Sequence, residues 1–228
     1  MVMDLAARVD GLVVLGRTVD DDVLGGLVDR GMPLVVLARD GIGRVDSVNA
    51  ENEQSARTLA HHLVVDHDYR DLAFLGDATI STDTQERWRG FCQGLAEAGL
   101  ATTPQLVPCA FDETGGRTAS QELLRDHAPR AIVCANDEIA LGAIAAAEEQ
   151  GLRVPDDVAI TGWDDVMAAR HARPGLTTVR QPMRQLGAWA ARRLHERMGG
   201  DTSDPRHEVL ATHLVIRPSC GTHPKEDR

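Results

Sequence analysis

The feature that most constrains the fold of this chain is the stretch Ala131–Asp165, AIVCANDEIALGAIAAAEEQGLRVPDDVAITGWDD. It begins with an apolar run typical of a buried strand and continues as an Ala-rich helical segment closed by Gly151. A second apolar run, Val158–Thr161, leads into the carboxylates of Asp164 and Asp165. This order predicts an α/β unit, in which strand ends and helix starts meet at a common crevice that binds small molecules.

The same alternation of strand and helix signals runs along the whole chain and predicts parallel sheets covered by helices. Apolar runs predict strands at Val9–Leu15, Pro33–Ala38, Leu72–Leu75 and Leu106–Phe111, and Leu210–Ile216 closes the structured part. With 228 residues, the chain is long enough to form one large domain or two small ones.

The charge of the chain limits its partners. It carries 35 Asp and Glu against 24 Lys and Arg, a formal net charge of −11. An acidic protein repels phosphate groups, so this chain alone is a poor candidate for binding DNA or an anionic membrane. Charged Asp4, Arg8 and Asp10 interrupt the segment where a signal peptide needs an apolar core, and no run approaches the roughly 20 apolar residues of a membrane span. We expect a cytoplasmic protein.

The sequence predicts neither a metal site nor a cofactor. Its four cysteines show no CxxC spacing and are expected to be buried or half-buried thiols: Cys92, Cys109, Cys134 and Cys220. His61 and His62 are adjacent and therefore point apart on a helix, so they are not a chelating pair. The chain contains no phosphate-binding glycine loop, GxSxG elbow or HExxH motif.

Asn136 and Asp137 stand where a predicted strand passes into a helix. The default role of a short polar residue there is an N-cap, which satisfies free backbone N–H groups. A ligand role for Asn136 is the alternative, because its amide both donates and accepts hydrogen bonds, as a sugar or a base edge requires. Asp164 and Asp165 have three alternatives: acceptors for ligand hydroxyls, a metal site, or an acid and base pair. Without a nucleophile or further metal ligands nearby, the acceptor role ranks first and an enzyme last.

Two further residues are candidates for ligand contacts. Arg87 and Arg89 flank Trp88 on a predicted helix and point in different directions, so only one of them can face a given site. An Arg directed into the crevice would clamp a ligand oxygen in bidentate fashion, although a solvated Arg is the default. Phe111, at the end of a predicted strand, is either a core residue or an aromatic that stacks on a ring or sugar face.

The chain resembles the effector-binding core of LacI/GalR-type transcriptional regulators. The resemblance is carried by segments in family order: VDGLVVLG, GMPLVVLARD, AENEQSARTLAHHLV, LAFLGD, RWRGFCQGLAEAGL, the Ala131–Asp165 stretch, PGLTTVRQP and HLVIRPSCG. Each segment alone is weakly specific, but their joint order is highly specific. The resemblance implies two doubly wound parallel-sheet subdomains with a ligand cleft between them.

The resemblance also implies roles for particular residues. Effector contacts fall on Arg87, Asn136, Asp164, Phe111 and Asp83. The subunit interface of a dimer falls near Leu141, Arg170, His171 and Ala172. The chain would cross between subdomains at hinges near Val48, Thr178 and Val209, which gives an N-terminal subdomain of residues 1–48 and 178–208, a C-terminal subdomain of residues 49–177 and 209–218, and a flexible tail at 219–228.

The chain departs from the family pattern in three ways. It has no helix-turn-helix headpiece, and the strand, helix and strand that normally precede the VDGLVVLG strand are missing, so the first subdomain is expected to be truncated with a bare sheet edge. Trp163 replaces the commoner Tyr or Phe, and Asp68 stands where Gly is usual.

The resulting prediction is a sensing and dimerising core of a transcriptional regulator, not an enzyme. Its effector would be a sugar or sugar derivative, with a purine or nucleoside as the other possibility, and its binding would close the cleft and alter operator binding through a headpiece absent from this chain. The alternative is a periplasmic-type solute receptor, which uses the same fold without DNA binding.

Overall fold

The computed structural model describes residues 2–39, 43–100 and 102–221, and it divides the chain into two compact units. Unit 1 consists of Met1–Glu51, Ile80–Asp83 and Pro182–Ala211. Unit 2 consists of Asn52–Thr79, Thr84–Gln181 and Thr212–Arg228. Each unit is therefore assembled from three separate stretches of sequence.

In chain order, the strands are β1 (Leu12–Leu15), β2 (Leu34–Leu37), β3 (Asp46–Ala50), β4 (Leu72–Leu75), β5 (Gln105–Val107), β6 (Ala131–Cys134), β7 (Ala159–Asp164), β8 (Thr177–Arg180), β9 (His207–Leu210) and β10 (His213–Val215). The helices are α1 (Val2–Ala6), α2 (Asp21–Asp29), α3 (Glu53–His61), α4 (Thr82–Glu97), α5 (Glu113–Asp126), α6 (Asp137–Glu149), α7 (Met167–His171) and α8 (Met183–Met198). A π-helical turn, His62–Asp66, follows α3, and a 3₁₀ turn, Pro218–Cys220, follows β10. None of the described helices is both long and apolar enough to cross a membrane.

Unit 1 is built on a parallel four-stranded sheet, sheet 1, with strand order β1-β2-β3-β9. Successive side chains of a strand point to opposite faces. Leu34 and Val36 of β2 therefore pack with Leu24 of α2, whereas Val35 packs with Leu186 of α8. Helices cover both faces of β2, as in a doubly wound sheet.

Strand β1 lies at one edge of sheet 1 and is buried on one face only. Leu12 and Val14 belong to the core, but Val13 and Leu15 are exposed. The sequence prediction of an edge strand with bare apolar surface matches these exposures.

Unit 2 is built on a six-stranded sheet, sheet 2, with order β10-β8-β7-β6-β4-β5. All neighbours are parallel except β10, which runs antiparallel to β8. Strands β4 and β6 are buried at every residue, which is typical of central strands in a parallel sheet. The α/β fold class predicted from sequence, with two parallel-sheet subdomains, is confirmed.

Glycines set the closest helix contact in unit 2. A Cβ on Gly142 of α6 would lie 2.1 Å from the carbonyl oxygen of Glu113, and one on Gly116 of α5 would lie 2.3 Å from that of Ile139. Helices α5 and α6 therefore touch backbone to backbone, which only a residue without a side chain permits.

Two predicted strands differ from the structure. The segment Leu106–Phe111 forms a strand only as far as Val107, and Phe111 lies in the turn before α5. The segment Leu210–Ile216 is not one strand: Leu210 ends β9 in sheet 1, and β10 begins at His213 in sheet 2. The chain leaves one sheet and enters the other within this segment, which an apolar run in the sequence does not reveal.

The end of the chain also differs from the prediction of a flexible tail at 219–228. Ser219 and Cys220 are fully buried, because the Ser219 hydroxyl donates to the carbonyl oxygen of Ile160 (2.5 Å) and accepts from the backbone N–H of Thr177 (2.8 Å). Residues 222–228 lie outside the described residues.

Candidate functional site

The carboxyl ends of β7, β6 and β4 lie side by side in sheet 2. We call this the carboxyl edge of sheet 2; it comprises Asp164 at the end of β7, Ala135 and Asn136 after β6, and Gly76 after β4. Ligands of open α/β sheets bind at this kind of edge, so its polar side chains are the first candidates for a binding site.

Arg87 reaches this edge from α4 and is buried. Its Nη1 donates to the carbonyl oxygen of Ala135 (2.8 Å), and its Nε donates to Oδ1 of Asn52 (2.8 Å). The guanidinium carbon lies 4.5 Å from the ring centroid of Trp163, a cation–π contact. These contacts fix the guanidinium at the end of β6. Arg89 is exposed and paired with Glu53, so the two arginines point apart as predicted.

Asn136 is the N-cap of α6, the role that the sequence predicts by default. Its Oδ1 accepts from the backbone N–H of Ile139 (2.8 Å), and its Nδ2 donates to the carbonyl oxygen of Phe111 (3.2 Å). Phe111 itself is half-buried against the core of unit 2. The structure thus brings Asn136 and Phe111 together, but the contact is with the backbone of Phe111. The side chain of Phe111 packs against the core of unit 2.

Asp164 and Asp165 both have positive φ angles, 117° and 58°. Non-glycine residues rarely adopt this region, and such strain concentrates at functional sites. Asp164 is half-buried, and its carboxylate accepts a short hydrogen bond from Nε2 of Gln181. With these φ angles at the end of β7, the two adjacent carboxylates have different neighbours.

Asp165 is a structural ion-pair partner. Its buried carboxylate is bound by Arg170 (3.1 Å), Arg180 (2.6 Å) and Arg217. Burial alone would raise the pKa of this carboxyl, but the hydrogen bonds from Arg217, Arg180 and Arg170 together hold the pKa below its ordinary value. Asp165 therefore stays ionised and is not an acid partner for Asp164.

Asp137, the first residue of α6, connects β8 and the loop after β7 through hydrogen bonds to its carboxylate. It is fully buried, its Oδ1 accepts from the Thr178 hydroxyl (2.6 Å), and its Oδ2 accepts from the backbone N–H of Val166 (2.9 Å). Burial raises its pKa to about 6, against the effect of these two hydrogen bonds, and the nearby charges of Asp164 and Asp165 add to the rise. In the sequence, Asp137 is visible only as an acidic residue in the first turn of a predicted helix, and no local pattern reveals its burial.

The raised pKa of Asp137 predicts a specific pH dependence of stability. Because the folded protein binds this proton more tightly than the unfolded chain, the contribution of Asp137 is fully present below pH 3.8 and is lost as the pH rises through about 6. The expected loss is on the order of 2–3 kcal/mol. Urea unfolding from pH 4 to 7 should show this fall in the difference between wild type and Asp137→Asn. A difference that does not change with pH would contradict the raised pKa.

The remaining predicted contact residues are dispersed. Asp83 lies in the first turn of α4 and is grouped with unit 1. The predicted interface residues lie on unit 2: Leu141 on α6, Arg170 and His171 in the last turn of α7, and Ala172 just after it. Both Arg170 and His171 are exposed.

The predicted hinge residues lie inside strands. Val48 is in β3, Thr178 in β8 and Val209 in β9. The division between the units falls a few residues later each time, at 51/52, 181/182 and 211/212. The hinge positions therefore stay a prediction, and the three residues named for them take part in strands.

The chain is similar to known transcriptional regulators. The periplasmic binding protein-like domain family matches residues 60–220. The HTH-type transcriptional repressor PurR of Pasteurella multocida is 33% identical over 220 residues, 95% of this chain and 66% of that protein. A LacI family regulator from Enterococcus faecium with bound ribose matches with a TM-score of 0.89 and 26% identity, over 97% of this chain and 83% of that one. A transcriptional regulator CelR–cellobiose complex matches with a TM-score of 0.85 and 31% identity, over 95% and 68%.

Proposed function

The chain belongs to the periplasmic-binding-protein-like family, in the form carried by LacI-type transcriptional regulators, and from this premise we propose that it senses a small-molecule effector. The observation that carries the proposal is the convergence of Arg87, Asn136 and Asp164 at the carboxyl edge of sheet 2. The chain spans 66% of the length of the PurR relative, so the activity of a whole regulator is part of the proposal.

The proposed effector is a sugar or sugar derivative. A carboxylate, an amide and a guanidinium provide acceptors and donors that complement neighbouring hydroxyl groups. Two relatives were solved with ribose and cellobiose, which supports this chemistry. A purine or nucleoside is the competing ligand class, because the same three groups also match the edge of a base.

The site favours binding over catalysis. Of the carboxylates near Asp164, Asp165 is held ionised by three arginines and Asp137 is fully buried beneath the loop. Neither is placed to exchange protons with a ligand, so an acid and base pair at Asp164 lacks its second member. The relatives are transcriptional regulators, which favours a regulator over a solute receptor of the periplasmic type.

In the complete regulator, we propose that effector binding changes affinity for operator DNA through a separate DNA-binding segment, in the cytoplasm. We further propose that the chain dimerises through the surface around Leu141, Arg170, His171 and Ala172. Exposed apolar side chains beside this surface support the second proposal: Met167 is 76% exposed, and Val166 is also exposed.

The effector proposal is tested by thermal unfolding with ribose, cellobiose, sugar phosphates and purine nucleosides. One ligand class should raise the melting temperature, because a ligand that binds only the folded state stabilises it. Asp164→Ala should then weaken binding of that ligand by about 10- to 100-fold, the usual effect of losing a charged hydrogen-bond acceptor. We choose Asp164 rather than Arg87, because loss of the buried guanidinium would also disturb packing against Trp163.

Asp156→Ala is the matched control. Asp156 is an exposed carboxylate of the same unit, paired with Arg153 (3.1 Å), and it precedes the opposite end of β7. The control variant should bind the effector as wild type does. Equal binding by wild type and Asp164→Ala would remove Asp164 from the site, and a melt that none of the ligand classes shifts would count against effector sensing by this chain.

A further inference from the structure

A second group of functional side chains lies in unit 2 at the other end of its strands. His62, His67 and Cys220 each place one potential metal-ligand atom within 4.8 Å of the other two. Cys220 lies beside Thr177, the first residue of β8, whereas the carboxyl edge of sheet 2 lies past the last residues of the parallel strands. The group is therefore separate from the proposed effector site.

The three side chains are buried and held by their neighbours. Cys220 is fully buried, His62 is almost so, and His67 is half-buried. The two imidazole rings meet edge to face with centroids 4.9 Å apart, and His67 stacks on Tyr69 at 5.0 Å. The Tyr69 hydroxyl donates to the carbonyl oxygen of Cys220 (2.9 Å). The rings and the thiol are thus fixed before any ligand binds, which favours a site.

A carboxylate orients the first histidine. The π-helical turn His62–Asp66 brings Oδ2 of Asp66 to 2.7 Å from Nδ1 of His62. If Nδ1 carries the hydrogen, the lone pair of His62 is on Nε2, which lies 3.5 Å from Sγ of Cys220. A carboxylate that accepts from one ring nitrogen, with the other ring nitrogen directed at a second potential ligand, is an arrangement typical of a metal-binding histidine.

The separation of Nε2 and Sγ fits a tetrahedral metal. Zinc lies about 2.0–2.1 Å from a histidine nitrogen and about 2.3 Å from a thiolate sulfur, so two such ligands stand about 3.5 Å apart. The observed distance between His62 Nε2 and Cys220 Sγ is 3.5 Å. The 4.8 Å span of all three atoms is wider, so the group would contract slightly around an ion.

The surroundings of the thiol also favour a metal over a catalytic role. Asp66, His62 and Cys220 stand in the order of a catalytic triad, but Sγ has no access to a substrate because Cys220 is fully buried. The Thr177 hydroxyl, which donates to the carbonyl oxygen of Arg217 (2.6 Å), lies 3.0 Å from Sγ and helps to hold the thiol in place.

We propose that His62, His67 and Cys220 form a binding site for a thiophilic divalent cation of the Zn²⁺ class, with Asp66 orienting His62 and a fourth position left for water. Imidazole nitrogens and thiolate sulfurs are both ligands of zinc, and three protein ligands leave such an open position. Among the described residues this is the one group of His, Cys, Asp and Glu that meets as three potential ligands.

Cobalt is the probe for this site, because a thiolate bound to Co²⁺ gives a charge-transfer band in the near ultraviolet. Protein freed of metal by a chelator should bind one Co²⁺ per chain with this band, and one equivalent of Zn²⁺ should displace it. Cys220→Ser should abolish the band. Cys92→Ser, which removes a half-buried thiol of α4 in the same unit, should leave it unchanged.

Folding of each variant is checked by circular dichroism, and His67→Gln serves if Cys220→Ser does not fold. Loss of this half-buried ligand should weaken Co²⁺ binding at least tenfold, while the circular dichroism spectrum of the folded protein stays the same. Zn²⁺ should raise the melting temperature of wild type but not of the variant. The proposal is overturned if folded wild type shows no thiolate band with Co²⁺, or if the band or the affinity survives loss of Cys220 or His67.

Discussion

Replacing Asp46 by alanine is expected to destabilise unit 1 by about 3–5 kcal/mol, the usual loss when one partner of a buried ion pair is removed. Asp46 and Arg193 are 1% and 2% exposed and are joined at 2.8 Å. The same carboxylate accepts from Nε of Arg197 (2.6 Å) and from the backbone N–H of Arg206 (2.8 Å), which leads into β9. Its loss leaves buried guanidinium groups short of a partner and loosens the segment that adds β9 to sheet 1.

Asp29→Ala is the matched comparison in the same unit. Asp29 and Arg44 are joined at a similar distance, 2.9 Å, but their side chains are 63% and 67% exposed. An exposed pair contributes at most about 1 kcal/mol, so this variant should unfold nearly as wild type does. Urea unfolding, followed by circular dichroism, measures both. If Asp46→Ala were as stable as Asp29→Ala, the buried network would not hold unit 1 together.

Gly142→Ala should destabilise unit 2 by about 3 kcal/mol, the upper end of the range for overpacked cores. The new Cβ would lie 2.1 Å from the carbonyl oxygen of Glu113 and 2.6 Å from the backbone nitrogen of Arg117. Both are backbone atoms of α5, which cannot move aside as the end of a flexible side chain would. Helices α5 and α6 must therefore separate, which opens the core between them.

The same substitution at Gly187 should have the opposite sign. Gly187 is an exposed position of α8, and a Cβ there meets no atom within 4 Å. Alanine in place of glycine within a helix stabilises by about 0.5–1 kcal/mol, because the unfolded chain loses conformational freedom. Thermal unfolding of the two variants should show a lower melting temperature for Gly142→Ala and a slightly higher one for Gly187→Ala. Equal shifts would mean that backbone contact at Gly142 is not the cause.

The elements that the sequence predicts best are those whose signals are local. The stretch Ala131–Asp165 forms β6, α6 and β7 as predicted, because its apolar runs, its N-cap and the closing Gly151 act within a few residues of one another. The N-cap role of Asn136 is local in the same sense, since its partner Ile139 is three residues away.

Contacts between residues that are far apart in sequence could not be predicted from such local signals. Arg87 could be chosen as a candidate, but its partners Asn52 and Trp163 are far from it in sequence and carry no pattern that pairs them. The group of His62 and Cys220 is hidden for the same reason, since 158 positions separate them. Spacing rules for metal sites detect ligands that are close in sequence. They therefore could not bring this group to notice.

The structure accounts for one departure of this chain from the pattern that the resemblance to LacI-type regulators implies. That pattern has Gly where this chain has Asp68, and Asp68 has φ = 55°. Glycine reaches this left-handed region freely, and Asp is among the few other residues that tolerate it. The Asp68 carboxylate also accepts from Arg70 (2.6 Å), an exposed interaction two residues away. Asp68 therefore adopts a backbone conformation that would also suit Gly.

The assembly of unit 1 from distant stretches has a consequence for how the protein is made. The α8 residues Leu186 and Ala190, which bury Val35 and Val48, are translated about 140 residues after them. At roughly 5–20 residues per second, this interval lasts roughly 7–30 seconds. During that time one face of sheet 1 lacks its cover and β3 lacks its neighbour β9, so nascent chains are expected to depend on holding chaperones until α8 and β9 have been made.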